Sequence, residues 1–231
     1  MVGTERRWVA EGCAVGRLKV DERRRMLVDA AFEVMVSKGV AAATTRAICA
    51  QAGMPQSAFH YAFRSKEELR QELAEAVVSA QTSTLADVSV ATESLRTALL
   101  AAMERLLAAG IADPGRQTVL YELTLLDLRT GDNPGRFGAW QYRLYTDRAA
   151  RLLDGVAERF NVHWRVPVDV LARMVAITVD GTMLAWLADR DTDLAAESLR
   201  ALAEAILALA VDNAVAGVDE ESEVIRTRGP A

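Results

Sequence analysis

The chain is poor in the residues that build most catalytic and metal centres. It has two cysteines and two histidines in 231 residues. Cys13 and Cys49 do not make a disulfide framework, so a reduced, cytoplasmic setting is the expectation. Cys49 reads as a small buried apolar group and Cys13 as an exposed thiol. Two distant histidines and two distant cysteines also make no metal site, and the expectation is no metal and no cofactor. A glycine-rich phosphate loop is missing, as is a Ser/His/Asp or Cys/His constellation, which argues against an enzyme. Aromatics make up 6% of the chain and prolines number five, a balance that favours helices over strands. No uninterrupted apolar run reaches the roughly 18 residues of a membrane span. The N-terminus is charged (Glu5, Arg6, Arg7, Glu11) and has no apolar signal core.

Lysine is missing from residue 67 onward, and that points to what is present. Residues 1–66 hold 11 Lys/Arg against 6 Asp/Glu, a charge of +5. Residues 67–231 hold 16 Arg and 26 Asp/Glu, a charge of −10. A basic end on an acidic chain is the pattern of a part that meets a polyanion. An unevenly charged solvated surface gives the same count.

Residues 1–19 have no period and read as a flexible arm. From Asp21 a helical spacing begins, with Met26, Leu27, Ala30, Ala31, Val34 and Met35 on one face, and Gly39 stops it. Thr44 and Thr45 offer the next N-cap, for a short helix from Arg46 to Ala52. Gly53-Met54-Pro55 turns the chain into a second short helix, Gln56 to Ala62. Ser65 and Glu68 make a capping box for a long helix over 65–88. Further helices are expected over 93–109, 114–130, 135–160, 167–189 and 193–213, with breaks at the Gly/Pro/Asp clusters between them. No strand pattern is visible, and residues 215–231 read as a frayed tail. The expected fold is all-α: an N-terminal three-helix helix-turn-helix head and a larger C-terminal helical bundle. The expected domains are 20–66 and 67–214, flanked by the arm and the tail.

Two short helices joined by a tight turn have helix-turn-helix proportions, and such a unit lays its second helix in the major groove. Pro55 opens that helix, and Gln56 and Ser57 at its start have the chemistry to read base edges. His60 and Tyr61, one turn on, reach bases or phosphates. Thr44, Thr45 and Arg46 begin the preceding helix, where side chains and backbone N–H groups hold phosphate. Lys66 adds another phosphate contact. Phe59 and Phe63, four apart, read as core. The arm's Arg6, Arg7, Arg17 and Lys19 suit a minor groove or no partner at all.

Residues 23–69 resemble the DNA-binding head of the TetR family of transcriptional regulators. The resemblance is carried by Ala30-Ala31-Phe32, Gly39, Thr45, Ile48, Ala52-Gly53, Phe59, Tyr61, Phe63 and Ser65-Lys66-Glu67-Glu68-Leu69. The chain departs from the family pattern at Cys49, Pro55, Ser57, His60 and Ala62, which bears on base preference. The resemblance implies a homodimer on a palindromic double-stranded operator, a body that dimerises and binds a small-molecule effector, and a repressor released by that effector. An all-α interaction module or an enzyme is the alternative.

The body supports this in part. Residues 167–189 are apolar nearly all round, as in a helix buried on several faces, and 193–213 carry a broad apolar stripe. Two such helices per subunit suit a four-helix interface or a monomer core. Asp180 lies in the most apolar helix and needs a partner: Arg143, Arg148, an N–H, another subunit or a ligand. Glu122 poses the same problem. For a largely apolar effector, the expected wall is Met103, Leu107, Tyr121, Glu122, Leu125, Trp140, Tyr145, Met174, Thr178, Asp180 and Met183.

Overall fold

The computed structural model describes residues 20–83, 85, 93–129 and 134–213. The expected arm, the expected tail and the end of the 65–88 helix lie outside them. The chain opens with α1 (Val20–Lys38), a 3-10 turn over Val40–Ala42, α2 (Thr45–Gln51), α3 (Gln56–Ala62) and α4 (Lys66–Ser83). It continues with α5 (Leu95–Ala112), α6 (Pro114–Arg129), α7 (Arg136–Phe160), α8 (Val168–Asp189) and α9 (Thr192–Ala208).

Most of the helix ends follow local chemistry. Gly39 adopts φ +82° and returns its N–H to the Met35 carbonyl at 2.8 Å, a left-handed stop that costs glycine little. The Thr44 hydroxyl accepts from Ala47 N at 3.1 Å and caps α2. Ser65 accepts from Glu68 N at 3.1 Å, and the Glu68 carboxylate takes the Arg64 N–H at 2.7 Å. The box is therefore built, with its return bond one residue earlier than the usual pattern.

Two expectations about the body are corrected. The 193–213 helix stops at Ala208, and Ala210–Asp212 pairs antiparallel with Val162–Trp164 as a two-stranded ribbon. Three-residue strands carry too little alternation to be read from sequence. Gly110, expected to break α5, sits buried inside it. A Cβ there would stand 2.8 Å from the Met183 sulfur and methyl, so glycine lets α5 approach α8 closely.

Two apolar cores result. The first gathers Leu27, Ala31 and Phe32 of α1, Ile48 and Cys49 of α2, and Phe59 and Phe63. It runs on without a gap into Leu69, Leu73 and Val77 of α4, Leu120 and Leu123 of α6, and Phe137 of α7. The second joins α5, α7, α8 and α9 around Leu107, Leu171, Met183, Trp186, Leu199 and Ile206. Helix α8 is long and apolar enough, with a mean hydropathy of 1.5, to meet the composition test for a membrane span. Arg173 and Asp180 interrupt it, and core helices pass the same test.

Candidate nucleic-acid interface and interior cavity

Helix α3 has two faces. Ala58, Phe59 and Ala62 are buried, and Phe59 packs on Phe63 with ring centroids 5.4 Å apart. This packing lets a seven-residue helix persist, since alone it would be unstable in water. Gln56, Ser57, His60 and Tyr61 all point outward, and Tyr61 is 78% exposed. Thr44, Arg46, Pro55 and Lys66 are exposed on the same end of the molecule's sequence, and Thr45 is half-buried.

One residue that locks α3 in place was not singled out from the sequence. Arg24, on α1, donates to the Ala62 carbonyl at 2.6 Å, capping the C-terminus of α3. The same guanidinium bonds Glu68 at 2.9 Å and Glu72 at 2.5 Å on α4, and lies 4.7 Å from the centroid of the Phe63 ring. It ties α1, α3 and α4 with charge-assisted bonds. The pairing holds the Glu68 carboxyl below its ordinary pKa, through the Arg64 N–H first and Arg24 second. The sequence signal was there: Arg24 precedes an acidic pair four residues apart on the helix it faces.

The body holds a partly open cavity of about 80 Å³ between α4, α5, α6, α7 and α8. Of the eleven expected wall residues, Tyr145, Asp180 and Met183 line it. Tyr121 stands behind it, its hydroxyl donating to the Asp180 carbonyl at 2.7 Å. The other seven go elsewhere. Met103 and Leu107 are buried in the second core. Trp140 stacks on Phe137 against the first core. Leu125 and Met174 face outward, 55% and 43% exposed. Thr178 bonds back to the Met174 carbonyl. Glu122 is exposed, so its expected burial is corrected: helical phase turns it away from Leu120 and Leu123.

The buried carboxylate of α6 is instead Asp127. It accepts from Gly138 N at 3.1 Å in the first turn of α7, so it serves as a cap for the positive end of that helix. Gln117 and Gln141 are buried as well. Gln141 accepts from Thr124 at 2.8 Å and donates to the Tyr145 hydroxyl at 2.6 Å, while Gln117 accepts from Gln81 of α4 at 3.3 Å. Their positions, three before Leu120 and four after Phe137, place them in phase with core residues.

Asp180 does find a partner, though it is none of those expected. Tyr142 donates to its Oδ2 at 2.5 Å. Burial raises the carboxyl's pKa, and the two tyrosine hydroxyls oppose that rise. Tyr142 is pushed up to about 12, by burial first and by Asp180 second; Tyr121 and Tyr145 are pushed higher by the same causes. Arg148 also lines the cavity. It reaches Glu75 of α4 at 3.5 Å, and its buried Nε has no hydrogen-bond partner.

A three-helix head that holds one short polar helix face outward, joined through a shared core to a hollow helical body, is the build of a helix-turn-helix transcriptional regulator. Residues 27–73 match the family model described as bacterial regulatory proteins, tetR family. The chain is 25% identical over 173 residues to the HTH-type nicotine-responsive transcriptional repressor HdnoR of Paenarthrobacter nicotinovorans, covering 75% of this chain and 88% of that one. The fold matches a crystal structure assigned to the TetR family from Syntrophomonas wolfei at TM-score 0.67 and 12% identity, over 80% of this chain and 95% of the other. A TetR-like regulator from Rhodococcus sp. RHA1 matches at TM-score 0.55 and 22% identity, over 83% and 99%. Residues 27–73 carry the head of the TetR family of bacterial transcriptional regulators, and the chain beyond them is similar in fold to members of that family.

Proposed function

We propose that the protein is a repressor that binds a palindromic operator as a homodimer and is released by a small, largely apolar effector. The observation that carries this reading is the division of α3 into a core-locked face and an outward polar face. Gln56, Ser57 and His60 present hydrogen-bonding groups to base edges, and Thr44, Thr45, Arg46, Tyr61 and Lys66 flank them for phosphate. Pro55 fixes the entry of the helix through its constrained φ. On this reading residues 20–66 read DNA, residues 67–214 sense and dimerise, and the protein acts in the cytoplasm. The relative named above is a nicotine-responsive repressor, which supports repression and a small organic effector here.

A second copy of the chain covers the outer face of α8 and α9. Val170, Met174, Ile177 and Leu184 are 43–53% exposed and follow alternating steps of four and three, with exposed Gly181 and Ala188 completing the line. Leu194, Ala201, Ala205 and Ala208 of α9 continue the same spacing, also exposed. A seam repeating every seven residues is the signature of helices packing nearly in parallel, and a two-fold axis would bring four such helices together.

Release follows from the route of α4. Its Leu69, Leu73 and Val77 belong to the head's core, and its Val78, Gln81 and Thr82 wall the cavity. An effector that binds one spacing of α4 against α7 better than another shifts the population between head positions; equal affinity shifts nothing. A gel-shift titration against DNA upstream of the protein's own gene tests the reading. Specific retardation that falls steeply with salt is expected, and affinity no better than for random duplex would refute it.

A further inference from the structure

Most of the cavity wall is apolar, supplied by side chains such as Val78, Leu106, Leu152, Val175 and Met183. At one end, however, it meets Asp180, a largely buried carboxylate with hydroxyl partners only. Among the described residues no Lys, Arg or His lies within ion-pair distance of it. The arginines near it are engaged elsewhere: Arg148 turns to Glu75, and Arg173 lies over the Tyr142 ring, 4.8 Å from its centroid, and reaches the Tyr142 carbonyl at 3.5 Å. Tyr142 and Tyr145 meet edge to face, with centroids 5.7 Å apart, and Tyr145 forms part of the wall beside Asp180. An uncompensated buried carboxylate is costly, and a ring face beside it attracts a cation. The buried Nε of Arg148 adds one donor without an acceptor.

We infer that the cavity takes a small organic cation: a largely apolar amine whose ammonium pairs with Asp180 against the tyrosines, and which carries a hydrogen-bond acceptor for Arg148 Nε. This rests on the reading of the cavity as the effector site and names its ligand class. A carboxylate ligand would meet the charge of Asp180, while the Arg148 charge is already balanced by Glu75. A neutral hydrocarbon would leave both the carboxylate and the Nε without partners. The amine supplies a charge-assisted bond in a low-dielectric site, where such a bond is strong.

Three probes of one shape and different charge test this on the full chain: benzylamine, benzyl alcohol and benzoate, by calorimetry or ligand-observed NMR. Benzylamine should bind about tenfold or more tightly than benzyl alcohol, with benzoate weakest. Asp180→Asn should bring benzylamine down to the alcohol's level. Should that variant fail to fold, the wild-type ranking of the three probes decides alone. Ala149→Phe, which fills the cavity, should abolish binding of every probe. If benzoate or benzyl alcohol binds as well as benzylamine and Ala149→Phe blocks it, the cavity is the effector site and the cationic class is wrong. If no probe binds, or binding survives Ala149→Phe, the cavity reading falls and takes the inference with it.

Discussion

Arg24 and Asp180 are opposite cases of a charged residue held inside a helical protein. Arg24 is met by two carboxylates, a carbonyl and a ring, so removing it leaves several groups unpaired. Arg24→Ala should cost about 1–2 kcal/mol by chemical denaturation, a modest figure because the pairs are partly exposed. It should also weaken operator binding, since α3 loses its C-terminal cap. Asp180 is penalised for its charge. Its folded pKa lies above its unfolded value, so the folded state holds the proton more tightly and stability falls as pH rises between the two. Asp180→Asn removes that penalty while leaving Tyr142 an acceptor. The variant should be the more stable protein at neutral pH, and the gap should close as pH drops toward 4, as thermal melts across pH would report. If the gap widened on acidification, the burial argument would be wrong. On α3, Gln56→Ala and His60→Ala should each lower operator preference by about 1–3 kcal/mol in competition gel shifts, and Lys66→Ala should weaken all duplexes alike. At this scale the sequence was legible where partners are near in the chain. Phe59 with Phe63 and Ser65 with Glu68 announce themselves by spacing. That Asp180 needs a partner was also legible; that the partner is Tyr142 was not, because packing alone brings residues 38 positions apart together.

The helices themselves were legible because period and punctuation agree. Gly39, Gly53, Pro114 and Pro167 stand at or beside real ends. Gly110 misled for a steric reason: its missing Cβ serves the neighbour α8, and the backbone stays helical. Gly110→Ala should therefore change stability by no more than about 1 kcal/mol, a helix-propensity gain set against displacement of the Met183 tip. It should also shrink the cavity, which probe binding would register as weaker uptake. Helix α8 buries Leu171, Ala172, Val175, Ala176, Met183 and Trp186 within the chain and leaves Val170, Met174, Ile177 and Leu184 exposed. Composition alone cannot separate a helix buried all round from one that leaves an apolar seam exposed. Ile177→Glu with Leu184→Glu places charges in the seven-residue seam. Light scattering should then report a monomer at concentrations where the wild type is a dimer, with helical circular dichroism retained.

Across the whole molecule, charge is divided between a basic head and an acidic body, so duplex DNA should be attracted at one end and repelled along the rest. If Arg46 and Lys66 of both heads neutralise phosphates, the logarithm of affinity should fall with the logarithm of salt with a slope of roughly −3 to −4 from these contacts alone, and Lys66→Ala should reduce its magnitude by about 2. The charge split was readable from a count of residues. The merging of the head's core with α6 and α7 was not, since it depends on how α4 is laid against them. That merging limits modular engineering. A chimera that grafts this head onto a foreign sensor at residue 66 would cut through Leu69, Leu73, Leu120 and Phe137 and expose a greasy stump on each side. Transplanted specificity would have to travel with α4 and its footing, or with a foreign body recut to receive it.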